Sequence, residues 1–154
     1  MTIRTIGHGL AAQAVSTAVA KGEEAGCPVV AAVIGGGGEL VALLRASGAP
    51  FPSSRIAQDK AYTAASFRVS TPEVYQMVSG NPALSIGITV QPGIVMFGGG
   101  LPIVIDGEFA GAIGVSGGSE ELDIACANAG LYRESAQRNS ERLVPQYIGA
   151  IEIK

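Results

Sequence analysis

Hydrophobic and polar residues form two kinds of pattern along this chain, one typical of helices and one of strands. From Leu10 to Ala25 apolar residues recur every three or four positions, which predicts an amphipathic helix with an alanine-rich contact face. Pro28 to Ile34 is a continuous valine-rich run, as in a strand buried on both faces. Gly35 to Gly38 separates it from a second apolar run, Leu40 to Leu44. A helix followed by a strand hairpin is therefore expected.

The middle of the chain carries two helix starts. One helix is predicted from Ser53 to about Phe67, because its opening serines can cap the free backbone N–H groups. Ser70 to Glu73 starts a shorter helix, since proline is tolerated in a first turn and the glutamate can reach back to the capping backbone. This helix should stop near Gly80-Asn-Pro82. A turn at Gln91 to Gly93 then leads into a short strand predicted at Ile94 to Phe97.

The clearest hairpin lies around Asp106-Gly107, a dipeptide suited to the positive φ angles of a type I′ turn. Apolar runs flank it at Leu101 to Ile105 and Glu108 to Val115. Gly117 to Ser119 then ends the second strand, and acidic residues crowd the following turn, where the helix dipole favours negative charge. Another helix is expected there. The weak alternation of Tyr147 to Ile153 predicts a terminal edge strand.

Hairpin strands with helices before and after them predict an α/β fold of the α+β type, with a central antiparallel sheet and flanking helices. The 154 residues, 47% of them hydrophobic, suit one domain spanning residues 1–154.

Composition then narrows the classes of function. A net charge of −3 without a basic stripe argues against nucleic-acid binding. No apolar run approaches the roughly 18 residues that span a bilayer, and no signal sequence opens the chain, so no membrane association and a cytoplasmic location are expected. Cys27 and Cys126 lie far apart and are interpreted as buried free thiols. With one histidine, a two-His metal site within one chain is excluded, and no metal is predicted.

Three motifs resemble one known family. D-K-A-Y-T-A-A-S-F-R at 59–68, G-G-G-L-P-I at 98–103, and G-A-I-G-V-S-G-G-S-E-E-L-D at 111–123 followed by A-G-L at 129–131 look like the GlcG/HbpS family. That family includes haem-binding or haem-degrading proteins and the C-terminal domain of PduO-type proteins, often beside catabolic genes. The resemblance implies a profilin-like fold, a homo-oligomer, and a small-molecule ligand such as haem or another tetrapyrrole.

Haem needs an axial ligand, and His8 is the only histidine. A histidine in Gly7-His8-Gly9 is otherwise typical of a turn or a surface position. Tyr62 and Met96 are weaker candidates, more typical of packed side chains.

The alternative function is an enzyme acting on a small carboxylate, carbonyl or aromatic-ring catabolite, in a pocket at a subunit interface. Asp59 and Lys60 are its candidate catalytic residues. Lys60 can act as a base or a Schiff-base amine only if burial lowers its pKa; the competing interpretation is a solvated lysine. Asp59 is equally explained by a helix-surface network with Arg55 and Thr63.

A ligand site is predicted where the glycines meet the helix of residues 59–68. The N–H groups of Gly98, Gly99 and Gly100 can approach an anionic group, and Lys60 or Arg68 can neutralise its charge. Asp123 and His8 complete the predicted ligand-binding residues, although Asp123 also suits a purely helix-supporting role. The competing interpretation is that the glycines only turn the chain. Alanine-rich helical faces and a mean hydropathy of +0.36 predict surface buried between identical chains.

Overall fold

The computed structural model describes residues 2–133, 141–142 and 152–153. In chain order its elements are α1 (His8–Glu24), β1 (Val30–Gly35), β2 (Leu40–Arg45), α2 (Ser53–Phe67), α3 (Thr71–Ser79), α4 (Pro82–Thr89), β3 (Gly100–Ile105), β4 (Glu108–Ser116), α5 (Glu120–Gly130), β5 (Tyr132–Arg133), β6 (Glu141–Arg142) and β7 (Glu152–Ile153).

The main sheet has the strand order β2-β1-β4-β3-β7. Its first four strands pair antiparallel, while β7 joins the β3 edge in parallel. The predicted α+β fold with a central antiparallel sheet and flanking helices is therefore confirmed.

Helices cover both faces of this sheet. Helices α1 and α5 pack together over one face, and α2 lies across β1, β4 and β3 on the other. Strand β1 serves both layers, because Ala31 and Val33 point into the α1 side while Val30 and Ala32 point towards α2. Gly114 lets α2 approach β4 closely, since a Cβ there would lie only 2.1 Å from the Ala57 carbonyl oxygen. This close approach delivers the α2 side chains to the end of the sheet.

Two locally encoded features are confirmed. Asp106 and Gly107 both have positive φ, at 51° and 77°, as the predicted type I′ turn requires. The capping box of α3 is formed by Ser70 and Glu73, each bonding to the other's backbone N–H.

The strand predicted at Ile94 to Phe97 is wrong, because β3 begins only at Gly100. Side chains satisfy the backbone there instead of a partner strand. The Thr63 hydroxyl accepts from the Val95 N–H, and the Thr71 hydroxyl donates to the Phe97 carbonyl oxygen.

Helix α4 was not predicted. Pro82 is its first residue, a position where proline costs no hydrogen bond, and the Asn81 side chain caps the Leu84 N–H. Helix α1 also begins earlier than predicted, which places His8 in its first turn. Of the predicted strand at 147–153, residues 147–151 lie outside the described residues. In the described part of the chain, no helix combines the length and apolar character needed to cross a membrane.

Candidate functional site

Lys60 projects from α2 into the interior and is fully buried. Its Nζ donates hydrogen bonds to the Val115 carbonyl oxygen at 2.8 Å and to Asp123 Oδ2 at 2.9 Å. The Phe97 ring lies over the ammonium, with its centroid 4.8 Å from Nζ. The interpretation of Lys60 as a solvated lysine is therefore wrong.

Asp123 holds the other half of this ion pair from the first turn of α5. Its Oδ1 accepts the Gly118 N–H at 2.9 Å, so the carboxylate fixes the turn before the helix as well as Lys60. Burial lowers the pKa of Lys60, and the hydrogen bond and charge of Asp123 only partly offset this effect. The pair therefore joins α2, β4 and α5 at one end of the sheet.

The predicted anion-binding glycines lie directly beside this ion pair. The Gly98 N–H donates to Glu120 Oε1 at 2.7 Å, and the Gly100 N–H donates to the Thr71 hydroxyl at 3.1 Å. An anionic ligand would have to displace these acceptors. The assignment of the three glycines to a ligand site stays a prediction.

Gly99 has a steric reason to be glycine. Its φ is +124°, and a Cβ would lie 2.6 Å from the Val115 carbonyl oxygen and 2.9 Å from Lys60 Nζ. The glycine run thus brings backbone onto the ammonium group and closes it from solvent.

Arg68 and Asp59 lie away from this cluster. Arg68 follows the end of α2 and stacks 4.8 Å from the Phe109 ring centroid. It is about 12 Å along the helix axis from Lys60, given the 1.5 Å rise per residue. The Asp59 carboxylate accepts one bifurcated hydrogen bond from the Arg55 Nε–H, at 3.0 Å to Oδ1 and 3.1 Å to Oδ2. The structure brings Lys60, Asp123 and the glycines together, but not Asp59 or Arg68.

His8 lies in a separate place, exposed at the start of α1. Its imidazole has no hydrogen-bond partner among the described residues. Ala12, Ser16 and Ala20 follow at four-residue intervals, each about 40° further around the helix than the last, so Ala12 and Ser16 lie nearest the side of His8. All three line a groove of about 1030 Å³ between α1 and α5.

Many of the residues that line the groove have short side chains. Besides Leu10, Gln13 and Lys21 from α1, α5 contributes residues with short side chains: Ala125, Asn128, Ala129 and Gly130. Sequence reasoning identified the alanine-rich face of α1 but missed the groove, because α5 is distant in sequence. The spacing of His8, Ala12, Ser16 and Ala20 was the available signal.

The remaining candidate ligands are weaker. Tyr62 is partly exposed and Met96 is half-buried. Both cysteines are free; Cys126 is buried, whereas Cys27 is half-buried. No group of three or more His, Cys, Asp or Glu residues that could hold a metal ion occurs within the described ranges.

Comparison with known proteins gives consistent matches. A family model described as haem degrading protein HbpS-like matches residues 6–132. An uncharacterized 15.0 kDa protein from the dhaT-dhaS intergenic region of Citrobacter freundii is 38% identical over 130 residues, 84% of this chain and 92% of that protein. The crystal structure of Klebsiella pneumoniae protein ORFY superimposes with a TM-score of 0.78 at 32% identity, covering 85% of this chain and 91% of the other. A crystal structure of a PduOC:heme complex has a TM-score of 0.75 at 30% identity, covering 82% and 92%.

Proposed function

Because this chain belongs to the GlcG/HbpS family, we propose that it is a small-molecule-binding protein whose ligand is haem or a related tetrapyrrole. The family model is described as haem-degrading, and a relative of the same fold forms a haem complex. We include in this proposal the homo-oligomer and the cytoplasmic location expected from the sequence.

The observation that carries the proposal is the placement of His8. Its imidazole is exposed and has no hydrogen-bond partner among the described residues. It does not line the groove itself, but lies one turn before the lining residue Ala12 on α1. Neutral imidazole is the most common axial ligand of protein-bound haem. Tyr62 is a weaker candidate, because it lies on α2, which packs on the other face of the sheet from the groove.

The groove suits a flat apolar molecule. Its volume of about 1030 Å³ is at the upper end for small-molecule sites. Its alanine and glycine residues leave room for a macrocycle and present apolar surface to it, while polar residues such as Gln13, Lys21 and Glu24 line the rest of the groove. His8 would hold the iron, and Ala12 and Ser16 would line the groove that takes the macrocycle. When bound, haem would supply a redox-active iron centre.

No observation favours the enzymatic alternative. Lys60 would need a free amine, but its Nζ is fully buried and bonded to two acceptors. Asp59 is bonded to Arg55 on the outer side of α2. Catalytic roles for Asp59 and Lys60 stay predictions without a geometric argument behind them.

Titration with hemin tests the proposal. We expect a Soret band on stoichiometric binding, and at least about a tenfold loss of affinity in His8→Ala, because the axial ligand is removed. Ser16→Trp should also weaken binding by filling the groove, and its exposed position spares the core.

Tyr62→Phe is the matched control, since it removes the competing donor and leaves His8 in place. Spectral change in Tyr62→Phe with none in His8→Ala would contradict the ligand assignment. No Soret band in the wild-type protein would reject haem as the ligand.

A further inference from the structure

The α3–α4 hairpin contains a helix, α4, that buries none of its apolar residues against the described chain. Helix α4 is strongly apolar in sequence, P-A-L-S-I-G-I-T, yet none of its residues is buried. It packs against α3 and makes no other substantial contact with the described elements. An isolated eight-residue helix is unstable in water, so packing elsewhere must support it.

The exposed side of this hairpin carries large apolar side chains. We define the hairpin face by the residues Tyr75, Met77, Leu84, Ile86 and Val90, which are 45–75% exposed. Fully exposed, such residues present about 150–200 Å² each, so the face offers roughly 450–600 Å² of mainly apolar surface. A standard interface buries about 800 Å² per partner, roughly 60% of it non-polar. The hairpin face therefore supplies about the apolar area that one side of a stable interface needs.

Apart from Glu73 in the first turn of α3, the hairpin has no charged residue. The 32 residues from Val74 to Ile105 contain no Lys, Arg, Asp, Glu or His. At the 15% charged content of the whole chain, about five charged residues would be expected there. Surface that faces water ordinarily carries charge, so this stretch is unlike a solvated face.

We propose that the hairpin face is the contact between two copies of this chain, packed about a two-fold axis. Each copy has a net charge of −3, and an uncharged face lets identical chains meet without opposing like charges. Tyrosine and methionine are enriched in interfaces of this kind. A membrane surface fits less well, because surface-bound helices need Lys or Arg on the polar face. Haem fits less well because the face has no histidine and no cation for the propionates.

This assignment rests on the proposed homo-oligomer but is independent of haem binding, since His8 and the groove belong to α1 and α5. The decisive variant is the Ile86→Glu, Val90→Glu pair, whose positions are 70% and 75% exposed and so spare the core. Phe51→Glu is the matched control, because Phe51 is 93% exposed and lies outside the hairpin. Sedimentation velocity at micromolar concentration measures the assembly, and hemin titration of each variant is a separate readout.

We expect the wild type and Phe51→Glu to sediment as the same oligomer. The double variant should form a smaller species, with at least a tenfold weaker association and an unchanged hemin response. If the glutamate pair does not fold, Ile86→Ser with Val90→Ser tests the same contact with less perturbation.

Three outcomes overturn the assignment. A wild type that is monomeric up to 100 μM rejects the homo-oligomer itself. A double variant that assembles as tightly as the wild type places the contact on another surface. Binding of anionic lipid vesicles that the double variant loses would identify the occupant as a membrane surface.

Discussion

The Lys60–Asp123 pair and the hairpin face reverse the usual distribution of charge in a folded chain. An ammonium and a carboxylate lie in the interior, whereas an outer helix carries only apolar and small polar side chains. Charged residues are rarely buried unless they are paired, and water-facing helices usually carry charge.

The two regions differ in whether the described chain supplies the contacts that their side chains need. No buried side-chain nitrogen or oxygen lacks a hydrogen-bond partner in the described part of the chain, so the interior charges are fully accounted for. The apolar side chains of α4 have no equivalent cover among the described residues. The buried pair thus stabilises the interior, whereas the hairpin face requires cover that the described residues do not supply.

Breaking the buried pair should have the largest effect. Lys60→Met leaves Asp123 buried without its counter-ion, which typically costs about 3–5 kcal/mol of unfolding free energy. Urea denaturation followed by circular dichroism measures the loss.

The double variant Lys60→Met, Asp123→Leu is the control for that experiment. It removes both charges together, so it should lose clearly less stability than Lys60→Met alone; the Gly118 N–H then loses its acceptor, at a cost of about 1–3 kcal/mol. Equal losses in the single and double variants would contradict an uncompensated Asp123 as the cause.

Gly99→Ala should have the next largest effect. The new Cβ would meet the Val115 carbonyl oxygen at 2.6 Å in a backbone conformation that L residues rarely adopt. We expect a loss of about 2–4 kcal/mol. Gly38→Ala is a matched control, because Gly38 also has positive φ, +91°, but open space around it. It should cost only about 1 kcal/mol, and similar losses in both would show that backbone strain alone explains Gly99.

Features that depend on neighbouring residues were predicted from the sequence, whereas features that depend on contacts between distant residues were not. The Asp106-Gly107 turn and the Ser70 to Glu73 capping box depend on neighbouring residues, so the sequence reveals them. The bounds of α2 were also predicted, but the serine cap expected at its start is wrong, because Pro52 occupies the N-cap position and no side chain caps the helix. Helix α4 was missed because Pro82 was interpreted as a stop, and because a helix without a polar face has no amphipathic periodicity.

The burial of Lys60 could not be predicted from its neighbours. Its acceptor Asp123 lies 63 residues away, and only the close approach of α2 to Gly114 brings the two together. The groove beside His8 depends in the same way on α5 meeting α1. The uncharged stretch from Val74 to Ile105, by contrast, was visible in the sequence.

The pH dependence of the buried pair should be a smaller effect. Burial lowers the folded-state pKa of Lys60 below its unfolded value near 10.5. Between the two pKa values the unfolded chain binds more protons, so this group's contribution to stability rises with pH up to about 10.5. The stability difference between wild type and the Lys60→Met, Asp123→Leu variant should therefore increase from pH 7 to pH 10 in urea titrations. Burial raises the pKa of Cys126 to about 11, and this group acts in the opposite direction. Because the Asp123 charge contributes to that pKa shift, both proteins should be compared in a Cys126→Ala background.

The smallest effect on stability is expected for a substitution on the hairpin face itself. Comparing it with a substitution on the buried side of the same hairpin distinguishes the two sides. Ile86→Ser removes an exposed side chain, so the unfolding free energy of the dilute protein should change by less than about 0.5 kcal/mol. Val74→Ala, on the buried side of α3, should cost about 1–3 kcal/mol at every protein concentration. If two copies meet at the hairpin face, the loss of melting temperature caused by Ile86→Ser must grow with protein concentration, because association stabilises only the folded wild type. A loss that stays constant from 1 to 100 μM would mean that Ile86 stabilises the single chain, and the distinction between a satisfied interior and an unsatisfied outer helix would not hold.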